Sequence, residues 1–281
     1  MGLENKTIIT AALTGAMTPK ELNENIPLTP QEIAACAYRC WKLGAAMVHI
    51  HVRDDHGIGE MNKEKFAEVI RLLRAYEDCD VIINCTTAGE KDAASEKRMA
   101  HVKELDGIEM ASYDAGSFNW MPAGIHDNSP QFLEELGTVL TARGIKPEYE
   151  IFDTGMIGIV DYYVKKGVLK TPGQYCFVLG VKGGMDATVD NLVFLKNMLP
   201  PGSTWSAFGI GKDHLPIMYA ALAMGGHIRV GLEDNVYYSK GVKASNESLV
   251  ERAVRVVKEF GKEPATPAQA REILGLKPLE R

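Results

Sequence analysis

Short β-branched runs alternate with longer amphipathic stretches from one end of the chain to the other, and this alternation restricts the fold more than any other property of the sequence. Strands are predicted at Thr7–Ala12, Ala46–Val52, Val81–Cys85, Gly107–Ala111, Glu148–Phe152, Gln174–Leu179, Thr204–Phe208 and His227–Val230. Helices fit between and after them at Thr29–Leu43, Lys63–Tyr76, Ala93–Leu105, Pro130–Arg143, Met156–Lys166, Val189–Met198, Leu215–Met224 and Ser248–Glu259. The first unit is the best punctuated. Thr29, Pro30 and Glu32 supply an N-cap, a first-turn proline and a capping-box acid, and Gly44 ends the helix. About eight strand–helix pairs in roughly 260 residues match a (β/α)8 TIM barrel. The runner-up, a doubly wound open sheet, would want a GxGxxG turn after the first strand, and none is there. The chain is expected to form a single TIM-barrel domain over residues 1–281, with a short C-terminal helical extension at Thr266–Leu274 closed by Gly275. That extension should seal the barrel or a subunit contact.

Two connections exceed the usual few residues, Leu13–Leu28 and Ser112–Ser129, and both would leave the C-terminal ends of strands, the barrel face that carries active sites. Composition narrows the partners. With 31 Lys plus Arg against 37 Asp plus Glu, the net charge is −6, and no basic run traces a phosphate backbone, so nucleic acid is not an expected partner. No apolar span approaches the roughly 20 residues that cross a bilayer, so a soluble, cytoplasmic, non-membrane protein is expected. Five cysteines without a CxxC pair read as reduced thiols, with Cys36 and Cys40 as helix-packing residues.

In Val48-His49-Ile50-His51-Val52-Arg53-Asp54 the β-branched residues argue for strand, so the two imidazoles project to the same side and can share one metal ion. A Zn²⁺ site would need at least one more protein ligand. On the last predicted strand, His227, Arg229 and Glu233 share a parity opposite to Ile228, Val230 and Leu232. Closure of a barrel sets the eighth strand beside the first and the first beside the second, so Glu233 can approach His49 and His51 across one intervening strand. Two imidazoles and a carboxylate leave an open position, as in catalytic zinc. Arg229 offers a fixed cation for a carboxylate or enolate, and Asp234 is free to act as a base. The set suits chemistry α to a carbonyl. His56, His101, His126 and His214 are expected to be surface or loop residues.

Asn84-Cys85-Thr86-Thr87-Ala88-Gly89 ends the third strand with two hydroxyls and several backbone N–H groups, a cradle for a carboxylate or a hydroxyl-capped helix start. The segments Gly180–Gly184 and Gly209–Lys212 allow close backbone approach to an anion, although neither is a Walker motif. Phe118, Trp120 and Met121 could wall the mouth or simply pack within their loop.

The segments TAALTGAMT, PLTPQEIA, HIHVRD, NCTTAG, EMASYDAGSFNW, GGHIRVGLEDN and TPAQAREILGL together resemble the β-keto acid cleavage enzyme family along the full chain. The resemblance implies a zinc-dependent acyl exchange in which a β-keto acid and acetyl-CoA give acetoacetate and a new acyl-CoA. It implies one Zn²⁺ per subunit held by His49, His51 and Glu233, with Asp234 removing the α-proton and Arg229 orienting charge. Thr86 and Thr87 fall where family members bind the substrate carboxylate, and the family suggests a homo-oligomer, a tetramer. One departure stands out: Met17 lies where the aminohexanoate-cleaving member has a glutamate suited to an ammonium, which implies an apolar or neutral substrate side group here. Two alternatives remain. A metal-dependent hydrolase of the amidohydrolase kind also uses HxH in a barrel, normally on the first strand. A noncatalytic acyl-CoA- or metal-binding barrel would lack turnover altogether.

Overall fold

A computed structural model describes residues 2–279. Eight parallel strands close into a ring: β1 (Ile9–Ala12), β2 (Met47–Ile50), β3 (Ile82–Cys85), β4 (Met110–Asp114), β5 (Lys146–Ile151), β6 (Gln174–Leu179), β7 (Thr204–Gly209) and β8 (His227–Val230). Each strand pairs with its neighbours in sequence, and β8 pairs with β1 through Ile228↔Ile9 and Val230↔Ala11 to shut the barrel. The outer layer is α1 (Pro30–Leu43), α2 (Lys63–Arg74), α3 (Ser95–Glu104), α4 (Pro130–Arg143), α5 (Thr154–Lys165), α6 (Val189–Asn197), α7 (His214–Ala223) and α8 (Asn246–Glu259). This is the TIM-barrel architecture expected from the alternation. Helix α1 has the predicted capping box, with Thr29 and Glu32 satisfying each other's backbone N–H, and Gly44 closes it at φ 116°.

Strand parity sorts the residues. Ile9, Ala11, Val48, Ile50, Ile83, Cys85, Ala111, Tyr113, Tyr149 and Ile151 belong to the core that includes the buried faces of the helices. The opposite parity points into the barrel, whose contents change with height. At the floor, Ile8, Met47, Ile82 and Met110 pack against Ala265 and the helix α9 (Pro267–Leu274) through Ala270 and Leu274. Arg271 of α9 pairs with Glu109 at 2.6 Å and donates to the Asp80 carbonyl, so the extension is tied across the floor as well as packed on it. Above the floor the interior turns polar. Asn84 donates to Glu148 at 2.6 Å, and Gln174 donates to the Ser206 hydroxyl.

One strand lies further along the chain than the pattern predicts. Gly107 takes φ +85° in the turn after α3, and pairing begins only where Met110 meets Lys146, so β4 is Met110–Asp114 instead of Gly107–Ala111. The shift puts Ser112 and Asp114 on the strand, facing inward with Met110. The long connection therefore starts later and contains its own antiparallel hairpin, Phe118–Trp120 with Gly124–His126. Among the described residues, no helix is long and apolar enough to cross a membrane. All five cysteines are buried and free.

Candidate active site

Closure of the barrel brings together side chains more than 180 positions apart in sequence. His49 is on β2, His51 follows it by one alternation, and Glu233 follows β8. His49 Nε2 and His51 Nε2 lie 3.6 Å and 3.4 Å from the same oxygen, Oε1 of Glu233. His49, His51 and Glu233 offer ligand atoms within 4.8 Å of one another. His49 Nδ1, His51 Nδ1 and Glu233 Oε2 are buried without a hydrogen-bond partner. Burial drives the His49 pKa down to about 3, so its imidazole is neutral and its lone pair is available. Burial opposes charge on Glu233 too, but His51, Arg229 and His49 outweigh it and hold the carboxyl well below its usual range. Two imidazoles on one side, a retained carboxylate charge and an unpartnered oxygen fit a divalent cation of the zinc type.

His49, Glu148 and Glu150 form a second close group. It suits a cation less well. Burial above all, and then the neighbouring Asp114, push the Glu150 carboxyl well above its usual range, and Glu148 is raised by burial and already accepts from Asn84.

Arg229 fills the space beside the triad and uses its whole fork. It grips Asp234 through two hydrogen bonds of 2.9 Å, reaches Glu233 at 2.5 Å and Glu150 at 3.2 Å, and stacks over the Phe208 ring. Burial works against its charge, yet Asp234, Glu233 and Glu150 leave it more firmly protonated than a free arginine. Asp234 responds in the opposite sense: burial raises it to about 6, with Arg229 holding it down and Glu233 pushing it up. Two glycines make this crowding possible. Gly231 has φ +145°, and a Cβ there would stand 1.9 Å from the Ala12 carbonyl oxygen; one on Gly15, at φ +60°, would meet Glu233 Cγ at 2.7 Å.

A cleft of about 470 Å³ opens above the triad. Its lining brings together His49, His51, Arg229, Glu233 and Asp234 with Thr86, Ser112 and Glu150. Thr86 and Thr87 part company. Thr86 faces the cleft, whereas Thr87 is fully buried and donates twice to Ser112, its hydroxyl to the carbonyl and its backbone N–H to the Ser112 hydroxyl oxygen. Thr87 therefore braces β3 against β4 and does not line the cleft. Met17 lines the rim and is 62% exposed. The loop that carries it is fixed by Arg53, whose guanidinium donates to the carbonyls of Thr14, Gly15, Thr18 and Gly57.

The far wall comes from the second long connection. Trp120, Ile125 and His126 of its hairpin line the cleft with Phe152. Phe118 stacks on Phe152 at 4.7 Å behind them, and Met121 points outward, 57% exposed. The hairpin is seated on the loop after β6, where Met121 N–H donates to Lys182 and a Cβ on Gly183 would stand 1.7 Å from the Asn119 carbonyl oxygen. His126 lies on the long connection, as a loop residue would, but it is not idle: its Nε2 lies 2.7 Å from Asp114 Oδ2. His101 is not at the surface. It is 1% exposed on α3, stacked on Phe66, and burial lowers its pKa to about 4. His214 is half-buried between Gly211 and Arg252, and His56 is exposed.

Ser112, Asp114, Glu150 and His126 thus join the site without having been singled out from the sequence, as does Arg98 of α3, which also lines the cleft. The same parity that marks His227 and Arg229 was present in Met110-Ala111-Ser112-Tyr113-Asp114 and in Glu148-Tyr149-Glu150-Ile151, where polar residues alternate with apolar ones. No local pattern announces His126 or Arg98.

Residues 6–276 match the family model described as beta-keto acid cleavage enzyme. A 3-keto-5-aminohexanoate cleavage enzyme of Fusobacterium nucleatum subsp. nucleatum is 44% identical over 274 residues, covering 97% of this chain and 98% of that protein. A 3-oxoadipate:acetyl-CoA acetyltransferase of Cupriavidus necator is 34% identical, covering 97% and 96%. Among solved structures, apo ObcA superposes with a TM-score of 0.81 at 22% identity; the match covers 90% of this chain and 66% of that longer one.

Proposed function

The chain belongs to the β-keto acid cleavage enzyme family, and we propose that it transfers the acyl portion of a β-keto acid to coenzyme A, with acetyl-CoA as co-substrate and acetoacetate as the second product, in a zinc-dependent reaction. Relatives named for acetyl-CoA-dependent transfer support the reaction class. The observation that carries the reading is the placement of Glu233 against both imidazoles and beside an Asp234 held by Arg229. A zinc ion held by His49, His51 and Glu233 would polarise a keto oxygen and stabilise the negative charge that develops there.

The chain's own groups would do the rest. Asp234, bound side-on by Arg229, removes a proton from the carbon between the keto and carboxylate groups. Its raised pKa makes it a stronger base than a free aspartate while Arg229 keeps it oriented. The carboxylate of the acid is taken by Thr86 and neighbouring N–H groups at the end of β3. The α-carbon then forms a bond to the acetyl carbonyl carbon, releasing CoA as thiolate, which adds to the former keto carbon. Cleavage of the bond between that carbon and the α-carbon leaves the remaining acyl group on CoA, and the departing carbanion takes back the proton held by Asp234 to become acetoacetate. Arg229 balances negative charge throughout and cannot be deprotonated. Met17 at the rim brings no charge, so we infer an acid whose side group is apolar or neutral.

The test is to incubate the zinc-loaded protein with acetyl-CoA and a mixed library of β-keto acids and to identify every new thioester by mass. Acetoacetate and a matched acyl-CoA should appear together, vanish on chelation and return with zinc. Formation of neither product from any acid removes the proposal.

A further inference from the structure

The carboxylate of Asp234 is gripped by Arg229, but its main chain depends on the neighbouring loop. Within its own turn, the Asp234 N–H donates to the Gly231 carbonyl. From outside that turn, the N–H of Gly211, in the loop after β7, donates to the Asp234 carbonyl at 3.2 Å. Gly211 is in turn fixed by His214, the first residue of α7. The backbone N–H and the imidazole Nδ1 of His214 both reach the Gly211 carbonyl, the ring nitrogen at 2.6 Å. Hydrogen bonds of a 3-10 turn such as Gly211–Asp213 are poorly aligned, so the side-chain bond stiffens it. His214, Asn235, Asp234 and Arg229 also line one small cavity of about 10 Å³, separate from the main cleft.

The partners of His214 determine where its proton sits. A carbonyl oxygen can only accept, so Nδ1 carries the hydrogen; a guanidinium can only donate, so Nε2, 2.9 Å from Arg252, presents its lone pair. The imidazole is therefore neutral and in one tautomer. Burial lowers its pKa, outweighing the bond to Gly211, and the Arg252 charge lowers it further. Arg252 comes from α8 and is 5% exposed. Another N–H of its guanidinium donates to the Tyr238 carbonyl, and the group lies over the Tyr238 ring at 3.3 Å. One cation thus holds both flanks of Asp234: Tyr238, further along the same loop, and, through His214, the loop after β7.

We propose that His214 is a positioning residue: as the neutral Nδ1–H tautomer it links Arg252 to the Gly211 turn, and so holds the main chain of Asp234 where its carboxylate meets the α-carbon of the β-keto acid. The inference rests on the proposed function and adds to it the frame that sets the base. Arg229 fixes the carboxylate only relative to itself. A shift of Gly211 tilts the Asp234 peptide and carries the carboxylate with it, and proton removal from carbon tolerates little displacement.

The experiment uses the zinc-loaded enzyme and the β-keto acid that gives most acyl-CoA in the mixed library. It measures acyl-CoA formation with acetyl-CoA and, by NMR in D2O without acetyl-CoA, exchange of the C2 protons of the acid above the enzyme-free rate. The second reaction reads proton removal alone. His214→Leu should lower both kcat and the exchange rate by about 10-fold, with KM for the acid and bound zinc within about twofold of the parent. His214→Gln offers an amide N–H to Gly211 and an oxygen to Arg252, so it should recover most of both rates. Arg252→Met, which leaves the imidazole without its anchor, should lower both by about threefold and carries the test if His214→Leu fails to fold. Rates unchanged in the folded His214→Leu protein, a loss confined to KM or to bound zinc, or equal losses in His214→Leu and His214→Gln overturn this inference alone. A parent that forms no acyl-CoA from any acid overturns the proposed function and this inference with it.

Discussion

The two long loops over the barrel mouth are held by different physics. The first, residues 13–28, is a polar construction: Arg53 collects three of its carbonyls, Asn246 donates to Leu13, and Asn23 reaches across to the carbonyls of Val236 and Ala244. The second, residues 115–129, adds aromatic stacking to its hydrogen bonds: its hairpin stacks on Phe152 and sits on a side-chain-free Gly183, while Arg98 and the His126–Asp114 pair fasten its end. Hydrogen-bonded loops fail when one donor is lost, because several carbonyls lose their partner together. Stacked loops fail when shape is lost.

The largest effect is expected where the first loop meets the ligand set. Glu233→Gln should lower turnover by about 10³-fold or more and reduce bound zinc measured by elemental analysis, since a charged ligand disappears without loss of volume. Next, Arg53→Met should destabilise the protein by on the order of 4 kcal/mol in urea unfolding, one lost hydrogen bond for each of four carbonyls. An effect under about 1 kcal/mol would show that the first loop does not depend on that cation.

Acid should expose the second loop's support. His101 lies on α3, the helix that carries Arg98, and its folded pKa of about 4 is below the unfolded value of about 6.5. Protonation then favours the unfolded chain, so stability is intact above about pH 6.5 and declines as the pH falls toward 4. His101→Phe should recover roughly 3 kcal/mol at pH 4 relative to the parent in paired unfolding curves, with little difference at pH 8 once packing is allowed for. Gly183→Ala should cost about 10-fold in kcat/KM with a smaller stability loss, because a Cβ at φ +103° displaces the hairpin from Asn119. The smallest stability change, within about 0.5 kcal/mol, is expected for the exposed Met17→Glu. That variant should nevertheless shift the ratio of kcat/KM toward ammonium-bearing acids; an unchanged ratio would mean the first loop does not read the substrate.

The contrast between the loops also explains what could be read in advance. Elements with their own punctuation emerged at the expected bounds: α4 begins at Pro130 behind the Ser129 cap and ends before Gly144, and β6 and β8 occupy Gln174–Leu179 and His227–Val230. The meeting of His49, His51 and Glu233 was legible because parity aims the two imidazoles and ring closure brings the end of β8 near them, with the turn at Gly231 completing the approach of Glu233. β4 was misplaced because Gly107–Ala111 and Met110–Asp114 are equally plausible by hydropathy; the choice is made by pairing with Lys146, 36 positions on from Met110. His126 was missed because its partner Asp114 is reached only when the hairpin folds back. His101 and Arg98 were missed because an ordinary polar residue on a helix gives no sign of which neighbour will cover it.

The β8–β1 seam has a consequence for assembly. Ile9 and Ile228 are joined by hydrogen-bonded pairing only when the ring shuts, and the proposed dication ligands are divided between β2 with the residue after it and the segment after β8. A partly folded intermediate that has built the first half of the cylinder possesses the imidazoles but not the carboxylate. Tight metal uptake would therefore report topological completion rather than mere collapse, and an ion bound late would act as a latch against reopening of the two chain ends.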